Sequence, residues 1–209
     1  MRYVYTTTIL LVRHGQTESN INGYYMGWTE EDLSKVGYKQ IQRLASRLAS
    51  QNMAAVYSSP LKRTYSTAAI LAKPHGLEPT VSDEIIEIRL GDWQGLHRDE
   101  IKQTWPEIWQ QSRTDPSTVR LPAGESFAEV TERAVRAFNS IVAANQGLQA
   151  VIVSHEVVIK VIIAHVLGTS NRIYRQFEIA NASLSKVQVT AGKALLVTLN
   201  DTAHLEELR

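Results

Sequence analysis

The chain has 209 residues, is 44% hydrophobic and 21% charged, carries a net charge of +1 and contains no cysteine. That length supports one sizeable core. The missing cysteines exclude disulfides, thiolate metal sites and a cysteine nucleophile, and the near-zero charge provides no global field for nucleic acid or an anionic membrane surface.

No apolar run approaches the roughly 18 residues of a membrane span. The run nearest the N-terminus, Ile9-Leu10-Leu11-Val12, is too short for a signal segment, so the reading is a soluble, cytoplasmic protein. Those four residues read instead as a buried strand. The strand leads straight into Arg13-His14-Gly15-Gln16-Thr17-Glu18-Ser19-Asn20. Ligands bind at the carboxyl ends of strands in open α/β sheets, and an Arg placed at such an exit requires an anionic partner. Residues 21–32, rich in Gly, Asn, Tyr and Trp, mark a shaped loop. Ser34 is an N-cap for a helix to about residue 50, with Ile41, Leu44, Ala45 and Leu48 on one face. A second short strand over 54–57 ends in Ser58-Ser59, and Pro60 suits the first turn of a helix to about residue 73. His75-Gly76 closes that unit. Residues 80–86 read as a third extended segment, followed by Glu87-Ile88-Arg89-Leu90-Gly91-Asp92-Trp93.

Between 96 and 124, Trp105, Pro106, Trp109, Pro116 and Pro122 interrupt a polar stretch, which predicts short helices and loops forming a lid. Ser126 and Glu129 have capping-box spacing and open a helix to about residue 145. Ala150-Val151-Ile152-Val153 is a second buried strand, ending at Ser154-His155. A helix then runs to about residue 167, with Gly168 just past its end. Residues 183–189 and 194–199, split by Ala191-Gly192, predict a hairpin at a sheet edge. The alternation of strand and helix predicts a single α/β domain over 1–209, a three-layer α/β/α sandwich with a mostly parallel central sheet. The hairpin adds antiparallel strands, and the lid is an insertion at about 96–124.

Arg13-His14, Arg63, Glu87 and His155 all fall at strand ends, which share one edge of a parallel sheet. Arginine forks and imidazoles beside helix N-termini, with one carboxylate among them, describe a pocket for a phosphate dianion. Other chemistries lack their residues. His155-Glu156 opens an H-E-x-x-H pattern, but position 159 is Ile, and no G-x-G-x-x-G, Walker A or G-x-S-x-G motif occurs.

Four blocks now stand in order: Leu11-Val12-Arg13-His14-Gly15-Gln16-Thr17 with Asn20; Tyr57-Ser58-Ser59-Pro60-Leu61-Lys62-Arg63-Thr64 with Thr67-Ala68; Glu87 with Gly91-Asp92-Trp93 and Gly95-Leu96; and Val153-Ser154-His155. Together they resemble the histidine phosphatase superfamily, the phosphoglycerate-mutase-like group, in its bacterial small-molecule phosphatase branch. The similarity extends from about residue 8 to residue 200. The resemblance implies a phosphomonoesterase that works without metal or cofactor. His14 would be the nucleophile, with its other ring nitrogen held by the Gly15 carbonyl. Arg13, Arg63 and His155 would grip the phosphoryl oxygens, and Asn20, Gln16, Thr17 and Gly27 would complete the phosphate and substrate site. Glu87 would protonate the leaving alcohol and then activate water. Asp83, Glu84 and Asp92 are neighbouring carboxylates, and the Gly91-Asp92-Trp93 run aligns Glu87 with the family acid.

One position departs from the family: Glu156 stands where glycine is usual. It is expected either to point away or to meet a cationic or hydroxyl-bearing part of the substrate. Candidate substrates are phosphoserine, α-ribazole phosphate, sugar phosphates and phosphoglycerates. A cofactor-dependent phosphoglycerate mutase is the alternative within the superfamily, but the cap cations Arg98, Lys102, Arg113 and Arg120 are scattered among Glu100, Glu107 and Asp115, which favours hydrolysis. The alternative outside enzymology is a non-catalytic phospho-ligand module, and the complete set of catalytic residue types argues against it. His75, His97, His165 and His204 are read as surface or packing residues, and Trp93, Trp105 and Trp109 as lid packing. The expected partner is a small phosphomonoester, with neither nucleic acid nor membrane, and the exposed hairpin edge favours a homodimer.

Overall fold

The computed structural model describes residues 5–208; residues 1–4 and 209 of the predicted domain lie outside the described residues. The strands are β1 (Thr6–Arg13), β2 (Ala55–Ser58), β3 (Thr80–Val81), β4 (Gln149–Ser154), β5 (Leu184–Thr190) and β6 (Lys193–Asp201). They form one sheet in the order β3-β2-β4-β1-β5-β6. The first four are mutually parallel, and β5 and β6 add antiparallel strands at one side.

β1 and β4 lie in the middle of the sheet, and their continuous apolar runs are buried on both faces. Ile9, Leu11 and Ile152 face one core with helices α6 (Phe127–Ala144) and α7 (Glu156–Val166). Leu10, Val12, Val151 and Val153 face the other, with α2 (Lys35–Leu48) and α3 (Lys62–Ala72). Three layers follow from that alternation. Each such Leu or Ile contributes about 1.5–3 kcal/mol by leaving water. Register then sets the site: Arg13 lies beside Ser154, and Ser58 beside Val153. Three strand exits therefore end at one level.

Helix α2 begins where expected, with the Ser34 hydroxyl accepting from the Gly37 amide, and the Ser126–Glu129 capping box opens α6. The hairpin turns at Ala191 and Gly192, both with positive φ, 49° and 76°, as its right-handed strand twist requires.

Three local expectations are corrected. Pro60 is not in the first turn of α3, because Ser59 is still paired through its amide to the Val153 carbonyl and the helix starts only at Lys62, after Leu61. The segment 80–86 pairs as a strand over Thr80–Val81 alone. A 3-10 turn at Asp83–Ile85 then buries Ile85. The Arg133 guanidinium takes the carbonyls of Glu84, Ile86 and Glu87 that a strand partner would otherwise take. The shaped loop after residue 21 is shorter than expected, because Glu18–Asn22 forms a one-turn helix, α1, capped by Thr17 and Asn20.

The segment 96–124 contains α4 (Arg98–Thr104), α5 (Pro106–Thr114) and a 3-10 turn at Pro116–Thr118. Its base is pressed against Gly91. There φ is +58°, and a Cβ would stand 2.0 Å from the Pro122 carbonyl oxygen, so only glycine fits.

Candidate active site

His14 follows the last residue of β1 and is 4% exposed. Its Nδ1 lies 2.8 Å from the Gly15 carbonyl oxygen. A carbonyl only accepts, so Nδ1 carries the proton and Nε2 keeps a lone pair. Burial first, then the Arg63 and Arg13 charges, holds this imidazole's pKa well below 6.5, so it is neutral at physiological pH. The turn that carries it is tightly seated. The Gly15 amide donates to Thr67, and a Cβ on Gly37 would meet the Gln16 carbonyl oxygen at 2.1 Å.

The His155 ring stands beside it, with centroids 5.3 Å apart at 61°. His155 Nε2 is 2.8 Å from the Ser59 hydroxyl, and its Nδ1 is buried without a partner among the described residues. When the Ser59 hydroxyl donates to Nε2, Nδ1 carries the proton and becomes a donor for an oxyanion. Burial, then Arg63, lowers this pKa too.

Arg63, in the first turn of α3, is 4% exposed. It donates to the Gly27 carbonyl at 2.6 Å and to the Thr29 carbonyl at 3.0 Å. The loop of Gly, Tyr and Trp residues is therefore a backbone cradle for one guanidinium. Arg13 donates through Nη1 to the Ile179 carbonyl at 2.6 Å. Asn20 Oδ1 accepts from the Thr17 amide and from Asn181 Nδ2, which leaves the Asn20 NH2 as a donor.

Glu87 is held by its surroundings. Its backbone carbonyl accepts from Trp28 Nε1 at 2.6 Å and from Arg133 at 3.0 Å, and its Oε1 accepts from the Ile88 amide. Burial pushes its carboxyl up to about 7, against the pull of Arg63. A carboxyl near 7 can give and take a proton at neutral pH.

Of these groups, Arg13, His14, Asn20, Arg63 and Glu87 line a cavity of about 500 Å³ together with Glu156, whereas His155, fully buried beside the His14 ring, does not line it. Thr17 and Gly27 line it as well, whereas Gln16 does not. The Gln16 main chain bonds Gln40 and Ser34, so its role is to seat the start of α2. Glu156 does not point away: it lines the cavity, and its oxygens lie 3.2 Å from Arg13 and 3.0 Å from Lys160. Trp93 and Trp109 do pack, each about 6.1 Å from Tyr25, yet they also wall the cavity. Of the four cap cations, Arg98 and Arg113 reach the cavity; Lys102 and Arg120 do not, and Arg120 pairs with Glu129. Among the described residues no cluster of three His, Cys, Asp or Glu side chains could hold a metal ion.

Arg133, Asn181, Tyr174 and Arg175 went unread as contributors. Arg133 meets the carbonyls of Glu84, Ile86 and Glu87, and no local pattern separates it from Arg136 one turn along α6, which pairs with Glu84. Asn181 is joined to Asn20 across 161 positions, and no local pattern marks it.

The sheet, the paired imidazoles and the arginines Arg13 and Arg63 define a phosphoryl-transfer protein of α/β architecture. The chain belongs to the histidine phosphatase superfamily, branch 1, whose family model matches residues 9–202. It is 35% identical to Phosphoserine phosphatase 1 of Hydrogenobacter thermophilus over 95% of this chain and 94% of that one. It is 31% identical to the metal-independent phosphoserine phosphatase of Arabidopsis thaliana, over 97% of this chain and 84% of the plant protein. Among solved structures, YhfR of Bacillus stearothermophilus superposes with a TM-score of 0.92 at 31% identity, covering 96% of this chain and all of that one (100%). The protein is accordingly a phosphatase acting on phosphomonoesters.

Proposed function

We propose that the protein hydrolyses a small phosphorylated metabolite through a phosphohistidine on His14, with phosphoserine the leading candidate. His14 Nε2 attacks phosphorus as the bond to the leaving oxygen breaks, and Glu87 gives its proton to the departing alkoxide. Glu87, now ionised, takes a proton from water. The hydroxide formed cleaves the P–N bond, releasing inorganic phosphate and restoring the imidazole lone pair. Arg13, Arg63, His155 and the Asn20 amide bind the oxygens on which charge must be stabilised. Thr17 and Gly27 shape the wall around them.

The observation that carries this reading is the His14 imidazole, tied through Nδ1 to Gly15 while lining the same cavity as Glu87 and both arginines. Phosphoserine ranks first because two relatives covering nearly the whole chain carry that activity in their names. Phosphate release should be measured across phosphoserine, α-ribazole phosphate, 3-phosphoglycerate and sugar phosphates, with His14→Ala as blank. Release from phosphoserine with the highest kcat/KM is expected. An acid quench that traps no phosphoprotein dependent on His14 would overturn the mechanism.

A phosphoglycerate mutase is the second reading. Arg98, Arg113 and Arg175 line the cavity with no carboxylate partner among the described residues, a setting for a second anionic group on the substrate. Formation of 2-phosphoglycerate from 3-phosphoglycerate, without release of phosphate, would establish it.

Two copies would pair through β6, the outer strand, where Leu195, Val197 and Leu199 are exposed on one face. Light scattering at a single monomer mass would refute that association. No described helix is long and apolar enough to cross a membrane.

A further inference from the structure

A carboxylate in an anion site and an ammonium in a core are each unfavourable alone, and here they stand together. Glu156 opens α7 among the groups that would bind phosphate, and Lys160, one turn along, is 4% exposed. Lys160 Nζ lies 3.0 Å from Glu156 Oε1, and the rings of Tyr174 and Phe177 cover it with centroids at 4.3 and 5.7 Å. The other carboxylate oxygen, Oε2, is 3.2 Å from Arg13 Nη1. That same Nη1 donates to the Ile179 carbonyl, while Arg13 Nε is buried with no partner among the described residues.

We propose that Glu156 and Lys160 are positioning residues: Glu156 fixes the Arg13 guanidinium by one terminal nitrogen, and Lys160 cancels the charge this adds beside the phosphate. The inference rests on the phosphomonoesterase reading above. A guanidinium is a rigid plane, so two acceptors on Nη1 set its orientation. The edge formed by Nε and Nη2 is then left for a phosphoryl oxygen pair. Arg13, Glu156 and Lys160 sum to one positive charge, the same as Arg13 alone. The arginine is held without loss of field at the anion.

That charge count makes the pair separable by experiment. Removing Lys160 leaves the corner neutral, and removing both partners restores one positive charge. The full chain and its Lys160→Met, Glu156→Gln and doubly substituted forms should be compared with 4-nitrophenyl phosphate as substrate and inorganic phosphate as competitive inhibitor. Lys160→Met is expected to raise the phosphate Ki and the KM about 10-fold, the effect of one unbalanced charge in a partly desolvated site, with a smaller change in kcat. The double variant should return Ki to within about 3-fold of the parent. A double variant as weak as Lys160→Met, or Lys160→Met with unaltered Ki, overturns the proposal.

If Lys160→Met does not fold, Glu156→Gln decides alone. It should bind phosphate more tightly, having lost a negative charge, yet turn over more slowly because the guanidinium is less firmly held. An unchanged kcat defeats the positioning role. If the parent chain releases no more phosphate from any substrate than His14→Ala does, the reading of the reaction fails instead. The clamp is then judged by titration calorimetry of phosphate on the same variants.

Discussion

The two ends of the cavity are built by different means. At the phosphate end, most of the positioning ties run to backbone groups. Gly15 holds His14, Gly27 and Thr29 hold Arg63, Ile179 holds Arg13, and Ile88 holds Glu87. At the other end, rings pack on rings: Tyr25, Trp93 and Trp109 about 6.1 Å apart, and Phe127 on Tyr174 at 5.2 Å. Main-chain ties fix direction as well as distance, which phosphoryl transfer demands. Ring packing excludes water and sets size while specifying little chemistry. The first end should therefore govern catalysis for every substrate, and the second should govern which substrate is used.

The largest test of that division is Glu87→Gln, which keeps the bond to the Ile88 amide but has no proton to give. It should lower kcat by about 10²–10⁴-fold on all substrates. In the parent, kcat should fall as pH rises through about 7, where Glu87 loses its proton. The fold should respond with the same sign. A carboxyl raised in the folded state from 4.5 to about 7 favours folding below pH 4.5, and that contribution is lost as pH rises through 7. Glu87→Gln should therefore gain up to ~3 kcal/mol over the parent at pH 8 and far less at pH 4, readable by denaturant melts at both pH values.

Next in size is Arg63→Lys. One ammonium cannot serve two carbonyls and a phosphate fork, and kcat/KM should drop about 10²-fold for phosphoserine and 4-nitrophenyl phosphate alike. A loss confined to one substrate would break the division.

Trp109→Ala sharpens it from the other side. The KM for bulky phosphomonoesters should move by a factor of about 3–30, while the Ki for inorganic phosphate stays put. If phosphate Ki moves in parallel, the two ends are not independent. The smallest effect belongs to Ser126→Ala, whose side chain does not line the cavity, where loss of the α6 capping box should cost about 1 kcal/mol in a melt and leave kcat alone.

What could be read from the chain divides along related lines. Ile9-Leu10-Leu11-Val12 and Ala150-Val151-Ile152-Val153 announce themselves because a strand buried on both faces is apolar throughout. Ser34 and Ser126 do so because capping is local. His14, Arg13, Arg63 and His155 are legible because each immediately follows or opens such an element. Pro60 misled because a long-range bond from Ser59 to Val153 outlasted the local preference of proline for a first helical turn. Arg133 and Asn181 stayed hidden because their partners are 46 and 161 positions away. Lys160 was half visible: a lone cation inside Val157-Val158-Ile159-Lys160-Val161-Ile162, four residues after an acid, is a pattern for a buried pair rather than a solvated face.

The sheet order has a consequence for synthesis. β1, the first of the described strands, ends up between β4 and β5, which begin more than 130 positions later. The carbonyls of Arg13 and His14 share the one Ala182 amide as well. The strand leading into His14 thus lacks its sheet neighbours until residues 149–190 have been made. Late-joining strands of this kind make for slow folding.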